Sequence, residues 1–296
     1  MTRRGWGLLG GIAILLAAAI AVVAVAWPAA DEPRASAPVA ARPTPTATPT
    51  PSPTPTAPPE NTAAYAQGAL PATEVHAVIP ALPVDEDPTA LGTGLVATAG
   101  AAGAPVFANP TGEPVAWLPA AQRYGGTTVP VVERAGTWLR VLVVGRQGVP
   151  GEGDPSQLSG WVRAADVTTA REERRVEVSI AEGTIEIVRG RGADEERALI
   201  TTDFAWGTDA TPTPTGRAFI MLTETVSFAY TRGHAMAYLS VQSPTLAGFG
   251  GQPVAVTAFH YHDAHAGAIS NGCLRLGAEA IDAIAELPAG TVVHIR

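Results

Sequence analysis

The chain contains a single cysteine, Cys273, within the run Ser270-Asn271-Gly272-Cys273-Leu274-Arg275-Leu276. One thiol can form neither an intramolecular disulfide nor a multi-cysteine zinc site, so it is either an inert small hydrophobe or a reactive group. Upstream stand His260, His262 and His265. A cysteine beside an imidazole is the minimum pair for covalent acyl transfer: the ring takes the thiol proton and the sulfur attacks a carbonyl carbon. Gly272 keeps the loop small enough to aim N–H groups at a developing oxyanion. A thiol placed just before a helix and next to an imidazole is expected to ionise at neutral pH. The same histidines raise a second chemistry, because three imidazoles and a water make a catalytic zinc site. Against it, the spacing His260-x-His262-x-x-His265 matches no helical ligand pair, and Asp263 is the one carboxylate close by.

Composition removes other chemistries. The 19 basic residues are all arginine, so the Ser-x-x-Lys nucleophile of lysine-assisted serine acyltransferases is absent. A formal net charge of -8 gives no broad electrostatic grip on nucleic acid, and none is expected as a partner. Nothing in the sequence calls for a cofactor or a resident metal.

The elements that must position Cys273 are mostly strands. Val176, Val178 and Ile180, then Ile185, Ile187 and Val188, read as a hairpin. Arg217 to Leu222, Ser227 to Tyr230 and Val254 to His260 read as further strands. One helix is expected from Ala278 to Leu287, where Ile281, Ile284 and Leu287 share a face and Pro288 and Gly290 end it before a last strand, Val292 to Ile295. His234 and His294 read as structural or solvent-facing. Asp203, Trp206 and Tyr230 can line a groove, but aromatics in β domains are usually core.

Upstream of this domain, Gly92 to Val167 carries short strands, among them Val129 to Glu133 and Trp138 to Val144, separated by Gly- and Pro-rich turns. Residues 60 to 91 show no periodicity and read as connection. Ala35 to Pro59 is a Pro/Thr tract that favours extended polyproline II, reaching roughly 75 Å at ~3.1 Å per residue. Gly5 to Trp27 is an unbroken apolar run that would span about 35 Å as a helix, enough to cross a hydrocarbon core of ~30 Å. Arg3 and Arg4 before it leave the following residues outside the membrane. The expectation is a single-pass anchor with extracytoplasmic domains, or a secreted chain if residues 1–26 are a cleaved signal.

Two resemblances refine this reading. Gly136-Thr137-Trp138-Leu139-Arg140-Val141 and Gly160-Trp161-Val162 resemble the strand and closing motif of a bacterial SH3-like domain, although Trp138 and Trp161 serve equally well as ordinary core residues. The last segment resembles the catalytic domain of the L,D-transpeptidases, whose hallmark is an upstream His followed by Ser-His-Gly-Cys, an aliphatic residue and Arg or Asn. Ser270, Gly272, Cys273, Leu274 and Arg275 keep that pattern, while Asn271 stands where the family usually has His. Thr211-Pro212-Thr213-Pro214-Thr215-Gly216 and Leu287 to Arg296 resemble the family's turn and closing strand, in family order.

The resemblance implies Cys273 as nucleophile and Arg275 as a pocket residue or ligand of a substrate carboxylate, with Ser270, Asn271 and Gly272 shaping the loop. His260 is preferred to His262 as base because Val254, Val256, Ala258 and His260 alternate onto one strand face. The implied reaction releases D-alanine from a peptidoglycan stem tetrapeptide through a thioester and passes the acyl group to an amine as a 3-3 cross-link. Water as acceptor would make a carboxypeptidase instead, and a degenerate domain would leave a wall-binding protein. The expected architecture is mainly β: anchor in 1–34, linker in 35–91, SH3-like barrel in 92–169, and a transpeptidase-type β sandwich with one short helix in 173–296.

Overall fold

The computed structural model describes residues 57–296. The apolar run Gly5 to Trp27 and most of the Pro/Thr tract lie outside the described residues. Among the described residues, no helix is long and apolar enough to cross a membrane.

The first sheet is antiparallel and is built where β-branched residues alternate between Gly and Pro turns. Its strands are β1 (Leu95–Ala99), β2 (Ala104–Phe107), β3 (Pro114–Leu118), β4 (Thr128–Ala135), β5 (Trp138–Val143), β6 (Leu158–Arg163) and β7 (Val167–Arg171), in the order β3-β2-β6-β5-β4-β1-β7. Trp138 is fully buried and meets Phe107 edge-on at 5.1 Å. Its indole N–H donates to the Pro59 carbonyl at 2.8 Å, so the end of the Pro-rich tract is seated on this sheet. The stretch read as connection also supplies core: Val75, Ile79 and Leu82 are buried in the first sheet. Prolines separate these contacts, which is why no periodicity announced them.

The second sheet has ten strands. They are β8 (Arg174–Ser179), β9 (Thr184–Arg189), β10 (Glu196–Thr201), β11 (Phe204–Gly207), β12 (Gly216–Thr225), β13 (Ala235–Gln242), β14 (Val256–Tyr261), β15 (Gly267–Ser270), β16 (Leu274–Leu276) and β17 (Val292–Ile295), ordered β10-β9-β8-β17-β12-β13-β14-β16-β11-β15. Helix α1 (Ala278–Ala285) buries Ala280, Ile281 and Ile284 in the core of this sheet. The architecture is mainly β, consistent with a sandwich bent about the long strand β12, which pairs with β17 along its first half and β13 along its second.

β12 is apolar on both faces. Ala218 and Ile220 face the core shared with α1, while Phe219 and Met221 enter the core of the first sheet. Gly126 permits that approach, since a Cβ there would stand 2.9 Å from the Phe219 ring. Buried polar bonds fix the same contact: the Ser240 hydroxyl donates to Gln157 Oε1 at 2.5 Å, Gln242 Nε2 to the Val75 carbonyl at 2.7 Å, and Arg217 grips Asp85 at 2.9 and 2.6 Å. The first sheet therefore packs on the β13 face that carries Tyr238, Ser240 and Gln242.

One expected strand is absent. Ser227 to Tyr230 forms a loop ending in a 3-10 turn, Ala229–Thr231, with Arg232 in the left-handed region at φ 50°. Phe228 and Tyr230 stack on each other at 5.4 Å rather than alternating across a sheet.

His294, read as structural or solvent-facing, is buried, with its ring nitrogens 3.2 Å from Glu177 Oε1 and from the Ala90 carbonyl. Burial raises the Glu177 carboxyl, but hydrogen bonds from His294 and Arg175 outweigh it and hold the pKa down to about 2. A depressed carboxylate stabilises the fold above its unfolded pKa, and that contribution is lost as pH falls from about 4.5 to 2. The shift corresponds to about 3 kcal/mol at ~1.4 kcal/mol per unit. Glu177→Gln should therefore destabilise the chain at pH 7 and flatten its stability between pH 4.5 and 2, measured by urea unfolding across that range.

Candidate functional site

Cys273 sits where the chain crosses the end of β11 on its way from β15 to β16. Ser270, the last residue of β15, is buried, and its hydroxyl donates to the Cys273 carbonyl at 2.6 Å while accepting the Gly272 N–H at 3.1 Å. The Ser270 carbonyl accepts from the Thr208 N–H at 3.2 Å and the Thr211 hydroxyl at 3.1 Å. Gly272 has φ +107° and faces the Pro212 carbonyl, where a Cβ would come within 3.4 Å. The Thr-Pro-Thr-Pro-Thr-Gly turn thus supports the cysteine turn directly, and the positive φ at Gly272 favours glycine there.

The neighbouring side chains follow from register. β14 and β16 run parallel, with Phe259 opposite Leu274 and His260 opposite Arg275. Phe259, Leu274 and Leu276 point into the core with α1. The alternate residues, Ala258 and His260 on β14 and Cys273 and Arg275 on the β16 side, take the other face. On β13, Met236 lies opposite His260 and Tyr238 opposite Ala258, extending the same face. His260 and Cys273 are thereby diagonal neighbours, for which ~7–8 Å is the usual backbone spacing.

The thiol bonds the backbone: Cys273 Sγ lies 3.9 Å from the Val256 carbonyl. Burial raises its pKa above the ordinary value, with the Ala258 backbone and Arg275 opposing more weakly. The residue as a whole is still partly exposed. The expected acidification by the helix is therefore not present. β16 separates Cys273 from α1, which begins at Ala278, and the field of a helix terminus falls off within its first turn. Among the N–H groups of the loop expected to face an oxyanion, that of Gly272 is committed to Ser270.

His260 is 6% exposed, and its Nδ1 lies 2.8 Å from the Tyr261 carbonyl. A carbonyl only accepts, so Nδ1 carries the proton and Nε2 of the neutral ring is the acceptor. Burial pushes its pKa down to about 4, with Arg275 and His262 adding to the effect. His262 shares the face, but its Nδ1 accepts the Ala264 N–H at 2.9 Å. His265 turns to the His262 carbonyl and Asp203. Among the described residues no cluster of histidine, cysteine and acidic groups is placed to hold a metal ion.

Arg275 is the electrostatic centre. Its charge acts on Cys273, His260, His262 and Tyr230. Among the described residues it has no ion pair, and its buried Nε has no hydrogen-bond partner. An unpaired guanidinium half-buried beside a thiol and an imidazole is suited to an anionic ligand. Asn271 is exposed at the turn.

Tyr230, for which the sequence allows either a groove or a core position, is exposed and packs against His260 at 5.3 Å and His262 at 5.9 Å. Burial raises its phenol, Cys273 adds to the rise and Arg275 opposes it, so the hydroxyl belongs to the same electrostatic cluster. Its expected strand alternation concealed this. Tyr238 is a second residue that sequence reading missed, since nothing marked β13 as neighbouring the cysteine.

No family model and no curated protein sequence matches the chain. Among solved structures it is similar to an L,D-transpeptidase from Stackebrandtia nassauensis, with 16% identity over 43% of this chain and 57% of that one and a TM-score of 0.30. An L,D-transpeptidase from Mycobacterium smegmatis shows 11% identity over 54% of this chain and 90% of that one, TM-score 0.31. The catalytic domain of the E. faecium L,D-transpeptidase shows 19% identity over 42% and 96%, TM-score 0.27. The chain thus spans little more than half of the first of these. The likeness is partial.

Proposed function

We propose that the chain is a peptidoglycan L,D-transpeptidase, a cysteine acyltransferase that forms 3-3 cross-links between stem peptides. The observation that carries this reading is one sheet face bearing the thiol of a partly exposed cysteine, a buried imidazole whose Nε2 has no partner among the described residues, and a guanidinium unpaired among them. Arg275 binds a carboxylate of the donor stem and brings the L,D amide over Cys273. The thiol turns from the Val256 carbonyl, His260 Nε2 takes its proton, and the Sγ–C bond forms. The C–N bond to D-alanine then breaks as His260 returns that proton to the leaving amine. An amine of a second stem attacks the thioester and gives its proton to His260, and as the Sγ–C bond breaks His260 passes that proton to the sulfur, releasing Cys273 as the thiol. In this reading the SH3-like part and the apolar N-terminal run hold the enzyme on the wall side of the membrane.

The resting pair is neutral, which sets the pH dependence. His260 is a base above about 4, and Cys273 stays protonated to beyond its ordinary value. D-alanine release from a stem tetrapeptide should therefore be flat from roughly pH 5 to 9 and fall in acid as His260 is protonated. A rate that climbs tenfold per pH unit across that range would mean attack by free thiolate without a base and would contradict this mechanism. Mass spectrometry of the products identifies the acceptor: a 3-3 dimer is expected, and hydrolysed tripeptide alone would make the chain a carboxypeptidase.

A further inference from the structure

The site face does not stop at β14. One register row crosses four strands, from Glu224 on β12 through Met236 on β13 and His260 on β14 to Arg275 on β16. At ~4.8 Å per strand, Glu224 and Arg275 are about 14 Å apart, the length of roughly four extended residues. Glu224 is held from the first sheet, by Arg123 Nη2 at 2.9 and 2.7 Å and by the Tyr124 hydroxyl at 3.1 Å. The Tyr124 ring packs edge-on against Tyr238 at 5.6 Å, and Tyr238 is the cross-strand neighbour of Ala258 beside the thiol. Nε and Nη1 of Arg123 have no partner among the described residues, and the side chain is 65% exposed. The row thus has a guanidinium at each end, Arg275 half-buried and unpaired among the described residues and Arg123 held by Glu224, with the base between them.

We propose that Arg123, held by Glu224 and Tyr124, is a carboxylate-binding subsite for the second, amine-bearing peptide. This rests on the reading that Cys273 passes its acyl group to an amine. A donor held at Arg275 occupies the β16 end, so the acceptor enters from the β12 end. An amine placed at His260 leaves roughly 10 Å, two strand spacings, to Glu224, so a short acidic peptide brings a carboxylate to the free edge of Arg123. The first sheet is in this account part of the substrate site, and Arg123 selects acceptors by charge.

The test reads binding without turnover, by calorimetry on the full chain carrying Cys273→Ser. The probe is a synthetic stem tripeptide with a free side-chain amine and free carboxylates, compared with the same peptide fully amidated. Arg123→Gln should raise the Kd of the acidic peptide about tenfold and leave that of the amidated peptide unchanged. Equal weakening of both peptides would mark a purely structural latch and overturn the subsite, as would no change or no binding by the Arg123 chain. Persistence of the charge-selective difference in a chain whose parent forms no thioester would refute the cysteine chemistry while leaving the subsite standing.

Discussion

Replacing Cys273 by serine should reduce D-alanine release to the residual level that binding and polar groups alone provide, ~10³–10⁴-fold above the uncatalysed rate. No second thiol exists in the chain to compensate. A serine hydroxyl is a far weaker nucleophile beside a base whose pKa is only about 4, because the proton transfer becomes steeply uphill. The turn should survive, since Ser270, Thr208, Thr211 and Gly272 hold it through bonds that do not involve the sulfur. Steady-state kinetics with an unchanged unfolding midpoint is the expected pair of results. Appreciable turnover by the serine variant would remove Cys273 from the chemistry.

The second large effect is expected at His260. His260→Gln keeps a polar group on β14 but removes the proton acceptor, and acylation should slow by ~10²–10⁴-fold. The loss should shrink as pH rises, because thiolate formed by hydroxide partly replaces the base. His262→Gln should cost much less, since the His262 Nδ1 accepts the Ala264 N–H and leaves the proton of the neutral ring on Nε2, whereas in His260 the proton is on Nδ1 and Nε2 can accept. Single-turnover acylation rates of the two variants between pH 6 and 9 separate these roles. Equal losses, or a larger loss at His262, would reverse the assignment of the base.

The hairpin β8–β9, the first part of β12, the helix α1 and the strand β17 were all legible, because each carries an apolar run or period; β12 continues past the expected Leu222 to Thr225 through polar residues that no such pattern marks. The alternation ending at His260 also indicated the face on which that ring lies. Charge state was not legible: the helix after Cys273 suggested an acidic thiol, but the short strand β16 between them removes the dipole and burial raises the pKa instead. Nor was the sharing of one core by the two sheets, since Phe219 and Met221 read simply as part of an apolar run. Tyr124, Glu224 and Tyr238 converge through pairings distant in sequence, and no local pattern encodes such contacts.

The proposed acyl transfer requires a covalent bond to one sulfur, which intact-mass spectrometry of the full chain with a carbapenem detects. A single stoichiometric adduct is expected, mapping to the peptide that contains Cys273 and missing from the Cys273→Ser chain. A folded parent chain that stays unmodified after prolonged exposure, or an adduct that survives the substitution, would contradict it.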